Sequence, residues 1–135
     1  MIMTSGHLAG TVLVVDDDPC IVDLLREVLE INDYRVEATV GAAAPDLARD
    51  LHPDLILLDI QMPGLDGPAV SRLLRADPAT RDIPVIALSA AHDLHARAAE
   101  MVADACLAKP FEIVELLAHV DRWAAKRPDE RAAVG

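Results

Sequence analysis

The chain is poor in cysteine and in positive charge, and it has no long apolar run. Its two cysteines, Cys20 and Cys106, stand far apart in 135 residues. They fit no metal spacing and build no disulfide scaffold, so a reducing cytosol is the expected setting. Only 12 basic side chains face 23 acidic ones, a net charge of −11. Nothing forms a basic stripe, which argues against direct contact with nucleic acid and gives no attraction to an anionic membrane. No apolar run approaches the roughly 20 residues that span a bilayer. The opening MIMTSGHLAG lacks the basic and apolar regions of a signal peptide. There is no GxxxxGK[ST] loop, no GxGxxG after a strand and no GxSxG elbow, so nucleotide-binding and hydrolase readings lack their motifs.

What is present is a hydrophobic fraction of 53%, enough for the core of one domain in a chain of this length. Short apolar runs alternate with helical patterns five times. Thr11–Asp16 (TVLVVD) is β-branched without polar alternation, the pattern of a strand buried on both faces. Ile21, Leu24, Leu25, Val28 and Leu29 then repeat at helical spacing. Tyr34–Thr39 reads as an edge strand. Ala44, Leu47, Ala48 and Leu51 mark a short helix that tolerates Pro45 only in its first turn. Leu55–Asp59 is a third strand. Asp66, Gly67 and Pro68 open a helix whose buried face is Val70, Leu73 and Leu74. Pro84–Ser89, a helix over His92–Ala103, the strand Ala105–Ala108 and a helix carrying Ile113, Leu116, Leu117, Val120 and Ala124 complete the pattern. The expected division is a short extension over residues 1–10, a domain over 11–125 and a polar tail over 126–135. The short tail and the initial Met favour a free-standing protein.

Such alternation predicts an α/β fold, a doubly wound five-stranded parallel sheet of order 2-1-3-4-5. Ligands of these sheets sit beyond the carboxyl ends of the strands. There the first strand ends in Asp16-Asp17-Asp18, the third in Asp59 and the fourth in Ser89, and Lys109-Pro110 follows the fifth. Strands one and three are neighbours, so their carboxylates share one crevice. Crowded carboxylates do not all stay ionised unaided. A hard divalent cation such as Mg²⁺, which takes oxygen ligands, relieves the repulsion. Metal and Lys109 would neutralise charge on a transferring phosphoryl group, Ser89 would hydrogen-bond it, and Asp59 would be the nucleophile. Asp18 is read as the N-cap of the helix beginning near Pro19.

The segments VLVVDDDP, PDLILLDIQMPGLDG, IPVIALSA and LAKPF, in this order and spacing, resemble the response-regulator receiver domains of two-component signalling. The likeness covers roughly residues 11–125 and implies a flavodoxin-like (βα)5 fold similar to a chemotaxis receiver. It implies Asp59 as phosphoacceptor, Asp17 as direct metal ligand, Asp16 as the neighbour that holds metal-bound water, and the backbone carbonyl of Gln61 as a further ligand. Ser89 matches the hydroxyl residue that responds to phosphorylation. Lys109 matches the phosphoryl-contacting lysine, its bond to Pro110 cis. Gln61 and Ala91 match positions that tune the phosphoryl lifetime. The implied donor is a phosphohistidine on a sensor histidine kinase or a histidine phosphotransfer protein, and the implied output is a change in affinity for an effector protein. The implied role is a switch that assists its own phosphorylation and dephosphorylation, not an enzyme turning over a metabolite.

Two positions depart from the family pattern. Cys106 replaces the usual aromatic switch residue, and Val102 stands where glycine is frequent. Cys106 itself is read as a small buried strand residue, and the five histidines as solvated surface. Trp123, the single tryptophan, either covers the end of the last helix or anchors a partner. Two competing functions are weaker. A dehalogenase-like phosphatase would want an acid where Gln61 stands, and a degenerate receiver would have lost an acidic residue or the lysine.

Overall fold

The computed structural model describes residues 10–60, 67–90 and 103–124. Five strands, β1 (Gly10–Val15), β2 (Tyr34–Thr39), β3 (Leu55–Asp59), β4 (Val85–Ala90) and β5 (Ala105–Lys109), form one parallel sheet of order β2-β1-β3-β4-β5. Helices α1 (Pro19–Ile31), α2 (Ala44–Leu51), α3 (Gly67–Ala76) and α4 (Ile113–Ala124) cover it, with a 3-10 turn over Gly41–Ala43. The expected order is therefore the observed one. The expected helix over His92–Ala103 falls on residues outside the described ones, except Ala103, which lies in the loop before β5.

Side chains alternate across the sheet with a period of two. Val12 and Val14 face one side, where Leu57, Leu88 and Leu107 meet Leu25 and Leu29 of α1 and Leu116 and Val120 of α4. Leu13 and Val15 face the other, where Ile56 and Leu58 meet Ala44 and Ala48 of α2 and Val70 and Leu74 of α3. Burying each large apolar side chain contributes about 1.5–3 kcal/mol, so two cores of this size outweigh much of the chain's ordering entropy. Both faces are filled because the strands carry apolar residues at successive positions.

The helices bury narrower stripes than the sequence spacing suggests. Leu24, Leu73 and Ile113 are 40%, 48% and 37% exposed. Leu24 and Leu73 each lie next to a buried position, but one residue turns a helix by about 100°, which carries them away from the core, and Ile113 is the first residue of its helix. Helix ends follow the local chemistry. Asp18 is the N-cap of α1 and its Oδ1 accepts from the Cys20 amide at 2.9 Å. Pro19 and Pro45 sit in first turns, where a missing amide costs nothing. His52 closes α2 in the left-handed region, at φ 50°. No helix among the described residues is long and apolar enough to cross a membrane.

Candidate functional site

The sheet places its chemistry at the carboxyl ends of β1, β3, β4 and β5. Val15 pairs with Leu58, so Asp16 and Asp59, the next residues of two neighbouring central strands, stand side by side. The Asp16 amide donates to the Thr39 carbonyl at 3.2 Å, carrying the β1–β2 ladder one residue beyond the strand. Asp16 Oδ1 accepts from the Asp18 amide at 2.9 Å, which fixes the carboxylate at the turn into α1. Asp16 and Asp59 are only 3% and 5% exposed, whereas Asp17 faces solvent. Carboxylate oxygens of Asp16, Asp17 and Asp59 lie within 4.8 Å of one another. Asp16 and Asp17 also border a groove of about 290 Å³ that Val22 and Ala38 help to line.

Lys109, the last residue of β5, reaches this cluster from across the sheet. Its Nζ stands 3.2 Å from Asp16 Oδ2 and 3.4 Å from Asp59 Oδ1. One ammonium against three carboxylates leaves a net negative site. At these separations and this burial the repulsion is large unless further positive charge is supplied. The donor set, three hard oxygen ligands open on one side to solvent, fits Mg²⁺. Ser89 supports the same reading. It is 1% exposed, one residue past the Asp59–Leu88 register pair, and its Oγ has no hydrogen-bond partner among the described residues. A buried hydroxyl without a partner costs about 1–3 kcal/mol, and in folded proteins such a group calls for an explanation.

Asp16, Asp17, Asp59 and Lys109 are thus brought together as the sequence suggests, and Ser89 lies one residue before the end of β4, the strand between those that end in Asp59 and Lys109. The Lys109–Pro110 peptide bond is cis, also as expected. Gln61, Ala91, Val102, His7, His92 and His95 lie outside the described residues. Cys106 corrects the reading of a buried residue: it is exposed. β5 is an edge strand, so its alternation turns Leu107 into the core and leaves Cys106 outside it. Enough protein still surrounds the sulfur to push its thiol pKa up. Trp123 packs against the α1–α4 core, with Arg122 over its ring at 5.8 Å, and so covers the helix end.

Sequence reasoning missed the part played by Gly67, which it took only as a helix start. A Cβ at Gly67 would lie 2.6 Å from the Asp59 carbonyl oxygen and 2.6 Å from Ile60 Cα. The Gly67 amide also donates to the Ile60 carbonyl at 3.1 Å. The available signal was a glycine between a strand-end aspartate and a helix N-terminal proline, which marks close backbone approach as well as a cap.

The family model of the response regulator receiver domain matches residues 12–121. The DNA-binding dual master transcriptional regulator RpaA of Synechocystis is 42% identical over 121 residues, covering 87% of this chain and 50% of the relative. The transcriptional regulatory protein PrrA of Mycobacterium tuberculosis is 41% identical over 128 residues, covering 93% and 54%. The chain thus spans about half the length of these curated relatives. Among solved structures, a putative response regulator from Chloroflexus aurantiacus superposes with a TM-score of 0.81 at 34% identity, covering 87% of this chain and 98% of that one. The receiver domain of a Pseudomonas aeruginosa sensor histidine kinase, solved with a magnesium ion coordinated in its active site cleft, gives 0.81 at 31% identity with the same coverage. With sequence, sheet order and relatives in agreement, the chain belongs to the response regulator receiver domains, the switch modules of two-component signalling.

Proposed function

We propose that the domain accepts a phosphoryl group on Asp59 from a phosphohistidine of a sensor histidine kinase or histidine phosphotransfer protein. The observation that carries this reading is Lys109 Nζ held between Asp16 Oδ2 and Asp59 Oδ1, at 3.2 and 3.4 Å. A cation so placed orients the Asp59 carboxylate and meets negative charge that develops on an arriving phosphoryl group. An Asp59 carboxylate oxygen attacks phosphorus, the phosphorus–nitrogen bond to the donor imidazole breaks, and an acyl phosphate forms on Asp59. Ser89 Oγ then donates to a phosphoryl oxygen, which satisfies the hydroxyl and links phosphorylation to the end of β4.

The acidic cluster fits Mg²⁺. Asp17 and Asp59 would hold it directly, with the backbone carbonyl of Gln61 as a further ligand. Asp16, whose two oxygens already face the Asp18 amide and Lys109, would stand beside it. When bound, the ion supplies the positive charge that lets a phosphoryl group approach three carboxylates. Gln61 and Ala91 would tune the phosphoryl lifetime. The domain would act in the cytoplasm, passing its signal to an effector without itself touching DNA or membrane. The DNA binding named for RpaA belongs to a protein twice the matched length.

Incubation with acetyl phosphate and Mg²⁺, followed by intact-mass measurement, tests the reading. The wild type should gain one phosphoryl mass and Asp59→Asn none. Equal labelling of the two proteins would falsify the assignment.

A further inference from the structure

We infer that Gly67 is a positioning residue for Asp59, and that its missing side chain sets where the carboxylate stands. The inference rests on Asp59 being the acceptor. Gly67 is the first residue of α3 and is buried. It meets the peptide that follows Asp59 with nothing between: an added Cβ would stand 2.6 Å from the Asp59 carbonyl oxygen, 2.6 Å from Ile60 Cα and 3.1 Å from the Ile60 carbonyl oxygen. All three are backbone atoms, so no side chain can turn away to make room.

Something must move, and the alternatives differ in cost. β3 is the middle strand, paired with β1 and β4, and Leu55–Leu58 are fully buried. Helix α3 is anchored by Pro68, Val70, Ser71 and Leu74, all buried. Shifting either element as a body breaks packing along its length. The smaller adjustment is at the end of β3, the Asp59–Ile60 peptide, which the Ile60 amide holds to β4 by one bond to the Leu88 carbonyl at 2.9 Å. The Asp59 side chain hangs from that point, and its ion pair with Lys109 is already 3.4 Å long. A displacement there moves the carboxylate against Lys109, Asp16 and Asp17 while the rest of the sheet stays in place. Misplacing a reacting group by about 1 Å is worth up to about 100-fold in rate. The Gly67 amide also donates to the Ile60 carbonyl at 3.1 Å, which ties the helix start to the residue after Asp59.

The test compares Gly67→Ala with Leu74→Ala, a substitution on the same helix that loosens the core without touching the β3 end. Phosphoryl uptake from acetyl phosphate with Mg²⁺ is followed over a range of acetyl phosphate concentrations, alongside the Mg²⁺-dependent rise in melting temperature. Gly67→Ala should lose about 10- to 100-fold in the maximal rate, with a smaller Mg²⁺ shift. Leu74→Ala should melt lower yet label near the wild-type rate. In Gly67→Ala/Val70→Ala, less packing pins α3, so the helix and not the strand end can yield; the rate should rise above that of Gly67→Ala although stability falls. Equal rates for Gly67→Ala and Leu74→Ala, no recovery in the double variant, or failure of both glycine variants to fold would make Gly67 structural only and overturn the inference. If Asp59→Asn is labelled, the acceptor assignment falls and this inference with it. A silent Asp59→Asn beside a fully active Gly67→Ala removes the positioning role alone.

Discussion

Tyr34 is the single tyrosine, and it ties the start of β2 to α4. Its hydroxyl donates to Asp121 Oδ1 at 2.6 Å. Burial first, then that hydrogen bond and the negative charges of Asp121 and Asp54, raise its pKa well beyond the ordinary value. The fold therefore holds the neutral phenol, while an unfolded chain ionises it near about pH 10. Its contribution to stability is complete below that pH and is lost as the pH rises above it. Tyrosinate absorbance should stay low at about pH 11 and appear only as far-UV circular dichroism is lost; ionisation near pH 10 with the fold intact would contradict this. Tyr34→Phe should lower stability by about 1–2 kcal/mol in urea titrations. Asp17 makes the complementary case at the acidic cluster. Mg²⁺ should raise the melting temperature of the wild type, because it binds the folded state and relieves repulsion. Asp17→Ala should lose that rise, and an unchanged response would remove Asp17 from the ligands.

Among the elements, strand positions were more legible than helix faces. The runs TVLVVD and LILLD show no alternation, and both strands prove buried on both sides. Helical spacing located the buried residues Leu25, Leu29, Val70 and Leu74, but it also drew in Leu24 and Leu73, which are half exposed. Periodicity fixes an angle around the helix axis; how wide a stripe is covered depends on what lies opposite. The difference is measurable. Leu57→Ala, in the fully buried middle strand, should cost about 2–5 kcal/mol. Leu24→Ala should change stability by about 0.5 kcal/mol or less. Comparable losses for the two, read from urea midpoints, would show that Leu24 belongs to the core. Asp18, legible as a cap, should cost about 1 kcal/mol when replaced by Ala.

For the whole molecule, the proposed function requires two arrangements whose balance phosphorylation would shift, with a coupling of about 1–3 kcal/mol. Ser89, whose buried hydroxyl has no partner among the described residues, is the group proposed to report phosphorylation, and Cys106 has no ring to swing. Ser89→Ala should still take up phosphoryl but weaken the gain in partner affinity under beryllofluoride. Cys106→Ala should leave both nearly intact, and a large loss of switching in Cys106→Ala alone would sink this view. The residue order by itself determined much of this protein. Apolar runs and stripes define the alternation, and short connections with right-handed crossovers leave few sheets, of which 2-1-3-4-5 was the one expected and found. Because ligands gather at carboxyl strand ends, Asp16, Asp17, Asp59, Ser89 and Lys109 stand out in the sequence alone as candidate site residues. Only the tertiary structure decided that Lys109 spans Asp16 and Asp59, that Ser89 Oγ is buried without a partner among the described residues, that Cys106 is exposed, and that a Cβ at Gly67 would meet the backbone of Asp59 and Ile60. The reason is physical. Local pattern is set by neighbours a few residues apart, whereas Asp16 and Lys109 are 93 residues apart and meet only through the register of four adjacent strands.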